Sequence, residues 1–154
     1  MKRTIAAILF ILSTFACFAL EFRNTSWQMT RENVIASELG RAISETNVEG
    51  QQQIVYRTHK NEFVGNITYM LEKNRLLSAS YSFKNDKAMQ VFNIMNKELA
   101  NQYGKPYFQA GKLVVWRLEH TEIALTHLPD NTCYVAYWEK AYFALMNNKN
   151  ESAP

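Results

Sequence analysis

The amino-acid sequence predicts an α+β fold: an antiparallel sheet with two helices packed on one face, in the order helix, three strands, helix, three strands. Three observations predict it. The stretch MTRENVIASELG carries the punctuation of a short helix at both ends. The segments FVGNITYML and RLLSASYSF alternate apolar and other residues on either side of the break EKN. From about Lys87 to Tyr103 the apolar residues recur at three- and four-residue steps. Strands joined by short turns imply antiparallel sheet, and helices then gather on one side.

The elements follow in order. Thr30 suits the N-cap of a helix over 31–39, and Met29 and Val34 stand where a hydrophobic staple places its pair. Val34, Ile35 and Leu39 form its apolar stripe, Gly40 suits the residue beyond its end, and Trp27 is expected to fold back over it. Arg41 to Gln53 is polar and reads as loop, and Ile54 to Thr58 reads as a strand. In the hairpin, Phe63, Gly65, Ile67, Tyr69 and Leu71 share one face with Leu77, Ala79, Tyr81 and Phe83. Only an odd number of loop residues allows that. The loop Glu72-Lys73-Asn74, with Asn74 left-handed, would pair Tyr69 with Leu77 and Ile67 with Ala79. Ser78, Ser80 and Ser82 would then line a wet face.

The second helix, 87–103, takes Asn85 or Asp86 as its cap and turns Ala88, Val91, Phe92, Met95, Leu99 and Tyr103 to the sheet. Gly104 and Pro106 stop it. Three strands follow, at Lys112 to Leu118, Glu122 to His127 and Cys133 to Trp138, with LPDNT as a turn before the last. Ala141 to Met146 suits a short final helix, and NNKNESAP is a polar tail.

The first residues, MKRTIAAILFILSTFACFAL, read as an export signal over residues 1–19. Lys2 and Arg3 form its basic start, an apolar stretch follows, and Cys17-Phe18-Ala19 offers a cleavage site after Ala19. The apolar run from Ile5 to Leu20 falls short of the roughly 20 residues a membrane span needs. Phe15 occupies a position where lipidation of Cys17 would want a small residue. We therefore expect an exported chain, periplasmic or secreted, with no membrane span after cleavage. Residues 20–154 form one globular domain, divisible into halves at about 24–85 and 86–146. Loss of Lys2 and Arg3 leaves 15 basic and 14 acidic residues, a net charge of +1. Basic and acidic residues are interleaved, without the stripe that nucleic-acid binding requires.

No catalytic, cofactor-binding or metal constellation emerges. His59, His120 and His127 lack ligand spacing. Glu119 and Glu122 flank a turn that reads as a charged hairpin tip. Cys133, the one cysteine beyond the signal, suits a small core position on a strand. Tyr56, Tyr107, Tyr134, Tyr137, Tyr142, Trp116 and Trp138 are more aromatics than alternating strands readily bury on one side. In Cys133 to Trp138, Tyr137 and Trp138 must face opposite ways. Either helices and the C-terminal segment cover both faces of the sheet, or the surplus marks a non-enzymatic binding module. A carrier of a small apolar ligand and a hydrolase of undefined type are the alternatives.

WQMTRENV resembles the helix entry of secreted bacterial proteins with a W-G-M-[ST]-x-x-x-V pattern. It is also similar to the start of beta-lactamase-inhibitor-protein-like modules, which include the SmpA/OmlA-type outer-membrane assembly lipoproteins. LANQYGKP, a helix ending in Tyr-Gly-x-Pro, is similar too. Gln28 stands where that pattern has Gly. The resemblance implies an envelope or inhibitory protein partner and carries no functional residue.

Overall fold

A computed structural model describes residues 21–48 and 50–144. The helices are α1, Arg31–Ser37, and α2, Ala88–Tyr103. The strands are β1 Ser44–Val48, β2 Gln51–Lys60, β3 Phe63–Glu72, β4 Arg75–Lys84, β5 Phe108–Ala110, β6 Leu113–Arg117, β7 Thr121–Leu128 and β8 Thr132–Glu139. All eight form one sheet in the order β1-β2-β3-β4-β8-β7-β6-β5, and every neighbouring pair is antiparallel. After the first meander, α2 carries the chain to the far edge of the sheet. The second meander then returns inward until β8 pairs with β4.

This corrects the expected α+β fold of helix, three strands, helix, three strands. Among the described residues the molecule is mainly one eight-stranded antiparallel sheet with small helices, and each half contributes four strands. The two strands missed, β1 and β5, are the outermost, and every residue of both is exposed. An edge strand without a buried side leaves no alternation to read.

One face of the sheet holds the core. Ile54, Tyr56, Ile67, Tyr69, Leu71, Phe83, Val114, Trp116, Ile123, Leu125, Cys133, Val135 and Tyr137 all belong to it, and registry puts them on the same side. Val34 of α1 and Ala88, Val91, Phe92, Met95 and Leu99 of α2 close over them, with Phe22 of the N-terminal segment. The Trp116 indole donates to the Gly104 carbonyl at 3.0 Å and ties the end of α2 to β6.

Several local expectations need correction. Helix α1 ends at Ser37, and Leu39 is fully exposed, so the stripe stops at Val34 and Ile35. Thr30 is the N-cap residue but makes no capping bond with its side chain. The free Arg31 N–H instead donates to Asn74 Oδ1 at 2.9 Å. Trp27 turns away from α1 and donates to the Thr121 hydroxyl at 2.8 Å.

The β3–β4 turn has two residues, Lys73 and Asn74, both left-handed with φ of 50° and 60°. The odd count comes from a bulge at Leu77: Leu71 pairs with Leu76, yet Tyr69 pairs with Ala79 and Ile67 with Tyr81. Leu76 thereby takes the core position expected of Leu77. Its backbone groups are satisfied by the entering chain: Gln28 N–H donates to the Leu76 carbonyl and Leu76 N–H to the Met29 carbonyl, both at 2.9 Å.

For α2, the Asn85 side chain accepts from Lys87 N–H at 2.8 Å just before the helix, and Gly104 closes it with φ 78°. Residues 140–144 make a helical turn after β8. The final two positions of the helix expected at 141–146, the polar tail and the export signal at 1–19 lie outside the described residues. Among the described residues no helix is long and apolar enough to cross a membrane.

Candidate functional site

Two regions gather side chains that could bind something. The first is the sheet face opposite the helices. Registry builds it row by row, because residues paired across strands point the same way. One row crosses all eight strands: Ser44, Val55, Thr68, Ser80, Ala136, Ala124, Val115 and Phe108. None of these is charged. On one side run Thr46, Gln53, Met70, Ser78, Trp138, Glu122 and Arg117. On the other run Arg57, Asn66, Ser82, Tyr134, Thr126, Leu113 and Ala110.

Charge on this face is confined or cancelled. Glu122 is buried and accepts from Arg117 Nε at 2.6 Å, and the Arg117 guanidinium lies 4.1 Å from the Tyr107 ring centre. The Glu122 carboxylate holds the Arg117 pKa above its ordinary value. Arg57 sits toward the far edge. The exposed large apolar residues Val48, Val64, Phe108, Leu113 and Leu128 also lie on this face. At its centre Ser78, Ser80 and Ala136 are 7%, 6% and 2% exposed. The expectation of a wet serine face is thereby corrected. Short side chains there form the floor of a groove of about 230 Å³, walled by Met70, Tyr134 and Trp138. Phe143 of the terminal helical turn meets Trp138 at one end of it, ring centres 5.4 Å apart.

The second region lies on the helix-bearing face, where α2 stands off the sheet. Two adjoining clefts of about 290 and 280 Å³ share Arg23, Tyr81, Gln102 and Tyr137 in their walls. Phe22 packs its ring against Tyr69, Tyr81 and Tyr137 at 4.9–5.6 Å. Arg23 donates to both oxygens of Glu38, at 2.9 and 3.2 Å. Tyr69 donates its hydroxyl to Glu38 as well. Burial raises the pKa values of Tyr69, Tyr81 and Tyr137, so all three stay protonated.

Of the histidines and glutamates weighed from sequence, only the neighbours Glu119 and His120 meet, Oε1 to Nε2 at 3.5 Å on an exposed turn. His59 and His120 are exposed and far apart in the sheet, and no group of metal-holding side chains occurs among the described residues. Glu119 is exposed while Glu122 is buried against Arg117, so they form no carboxylate pair. Cys133 is fully buried, and desolvation pushes its thiol up to about 12, an unreactive state. Tyr137 and Trp138 do face opposite ways, Tyr137 into the core and Trp138 onto the open face. The groupings reasoning from sequence missed, the uncharged row and the tyrosine cleft, depend on β4 pairing with β8, which no local signal announces.

The family model described as the TP0088 domain matches residues 20–149, and the chain belongs to that family. No curated protein and no solved structure matches it.

Proposed function

We propose that this member of the TP0088 domain family is an exported, non-enzymatic binding module that engages a folded protein partner through the open face of its sheet. The observation that carries this reading is the uncharged row from Ser44 to Phe108, with Val48, Val64, Leu113 and Leu128 exposed on the same face. Eight strands at about 4.8 Å spacing span roughly 34 Å. Three rows deep, the surface is on the order of 700 Å², close to the ~800 Å² that each partner buries in an interface of standard size. A small ligand would use a fraction of it. The partner surface it complements is uncharged and aromatic or aliphatic, because a charge set on this row would lose water without gaining a counter-ion. Export, which brings the module to an envelope protein or to an enzyme it inhibits, rests on the leader-like residues 1–19.

The test places charge on the row at half-buried positions. Tagged chain retains a stoichiometric protein from an envelope fraction. Ala124→Arg and Val115→Glu each weaken that retention about tenfold or more, with unchanged thermal midpoints. Leu39→Glu, on the other side of the molecule, retains the same protein as the parent. Equal retention by all four chains, or none by the folded parent, overturns the proposal.

A further inference from the structure

We infer that β1 is a docking edge for a second copy of this chain, and that the two copies pair antiparallel about a two-fold axis between their Thr46 residues. The ends of the sheet supply the first observation. Among the described residues no strand lies beyond β1 or β5, and every side chain of both is exposed. A terminal strand carries N–H and C=O groups along its outer side that pair with water or with another strand.

The two edges are not alike. β5 has three residues and closely follows Pro106, which has no N–H to give. Shortness and proline are among the devices that keep an edge from pairing. β1 has neither, and no bulge interrupts it. Its five residues, Ser44-Glu45-Thr46-Asn47-Val48, run beside β2 in unbroken register and present about 17 Å of edge. Ile43 just before it and Val48 at its end are 51% and 66% exposed.

The sequence of β1 is complementary to itself. With the axis at Thr46, the open face brings Thr46 against the second copy's Thr46, a pair whose hydroxyls bond one another, and Ser44 against its Val48. On the helix-bearing face Glu45 meets the second copy's Asn47, so a carboxylate accepts from an amide. Glu45 is the one charged residue of β1, and Arg31 already donates to it, so no like charges confront one another. Centring on Glu45 instead would set two carboxylates face to face. The axis stands perpendicular to the sheet, so both open faces lie on the same side and a dimer carries two docking surfaces. The pairing does not rest on what those surfaces bind. One strand edge falls below the standard interface size, so the dimer exchanges with monomer, with a Kd on the order of 100 μM.

The test is sedimentation velocity of the whole chain from about 10 to about 1000 μM. The parent shifts from monomer to dimer across that range. Thr46→Lys and Thr46→Glu each oppose like charges at the axis and weaken dimerisation about tenfold or more. Position 46 is exposed, so both variants keep the parent's thermal midpoint. An equimolar mixture of the two sets Lys against Glu and recovers the dimer, a rescue that an effect on folding would not give. Ala124→Arg, on β7, dimerises as the parent does; its loss of the dimer would mean that the copies meet face to face, and would overturn the inference. A parent that stays monomeric throughout overturns it too. So do folded Thr46 variants that dimerise undiminished, or a mixture no more dimeric than either variant alone.

Discussion

Asn74 illustrates how a single residue can serve two elements at once. Its φ of 60° closes the β3–β4 turn in the left-handed region that Asn tolerates, and its side chain caps α1 across 43 residues of sequence. Thr30 had the residue type of a cap, but its side chain makes no capping bond. Residue type was legible; a donor supplied from another hairpin was not. We expect Asn74→Gly, which keeps the backbone conformation, to cost about 1 kcal/mol through the lost cap. Asn74→Ala should cost more, since it also strains the turn. Thr30→Ala should stay within about 0.5 kcal/mol. Urea unfolding midpoints of the three variants check this ordering, and a Thr30→Ala loss as large as that of Asn74→Gly would contradict it. Gly65 is constrained more severely. A Cβ there would lie 2.4 Å from the Phe83 ring and 2.6 Å from the Ser82 carbonyl oxygen. Gly65→Ala should therefore destabilise by roughly 1–3 kcal/mol or more. Adding Phe83→Leu should not restore the loss, because the backbone contact remains.

Among the elements, legibility followed burial. α2 was readable almost to its ends because Ala88, Val91, Phe92, Met95 and Leu99 all enter the core at helical spacing. β3 was readable because its odd positions are all buried. β1 and β5 bury nothing and so left no pattern, which is why four-stranded halves read as three-stranded ones. β4 lies between these cases. Its parity was legible, since the apolar residues of both strands had to reach one face, but the device was not. A two-residue turn plus the Leu77 bulge gives the same parity as a three-residue loop, with Leu76 inside in place of Leu77. Deleting Leu77 removes only the extra residue: Leu71 stays opposite Leu76, Met70 opposite Ser78 and Tyr69 opposite Ala79, so the core side is kept. We expect that variant to retain a cooperative transition by circular dichroism. Deleting Leu77 and Ser78 together would bring Ala79 opposite Met70, put Ser80 and Ser82 on the core side and expel Ala79, Tyr81 and Phe83. It should lose the cooperative transition, and a cooperative double deletion would contradict this register.

For the whole molecule, the β4–β8 pairing decides both faces. It aligns Ser80 with Ala136 on the open side and Tyr81 with Val135 on the core side, joining two meanders into one surface. The opposed directions of Tyr137 and Trp138 were legible from alternation alone. The assembly of Tyr81, Tyr103 and Tyr137 from β4, α2 and β8 was not, because it depends on a crossover to the far edge. That assembly has a thermodynamic signature. Burial holds the Tyr69, Tyr81 and Tyr137 pKa values above their ordinary range and pushes the Cys133 thiol up to about 12. Below pH of about 8.5 these groups are protonated in both folded and unfolded chains and contribute no slope. Above it the unfolded chain releases the thiol proton while the folded chain keeps it, so stability falls as pH rises, until the folded thiol itself titrates near 12. From about pH 10 the unfolded tyrosines add to the fall, each proton contributing up to about 1.4 kcal/mol per pH unit. Urea midpoints measured between pH 7 and 11 should be flat at first, decline from about pH 8.5–9 and steepen above about 10. Cys133→Ala, whatever its cost at neutral pH, should remove the first segment and delay the decline to the tyrosine range. A parent chain whose midpoint is unchanged up to pH of about 10 would mean that Cys133 is far less desolvated than its place between Phe83 and His127 requires.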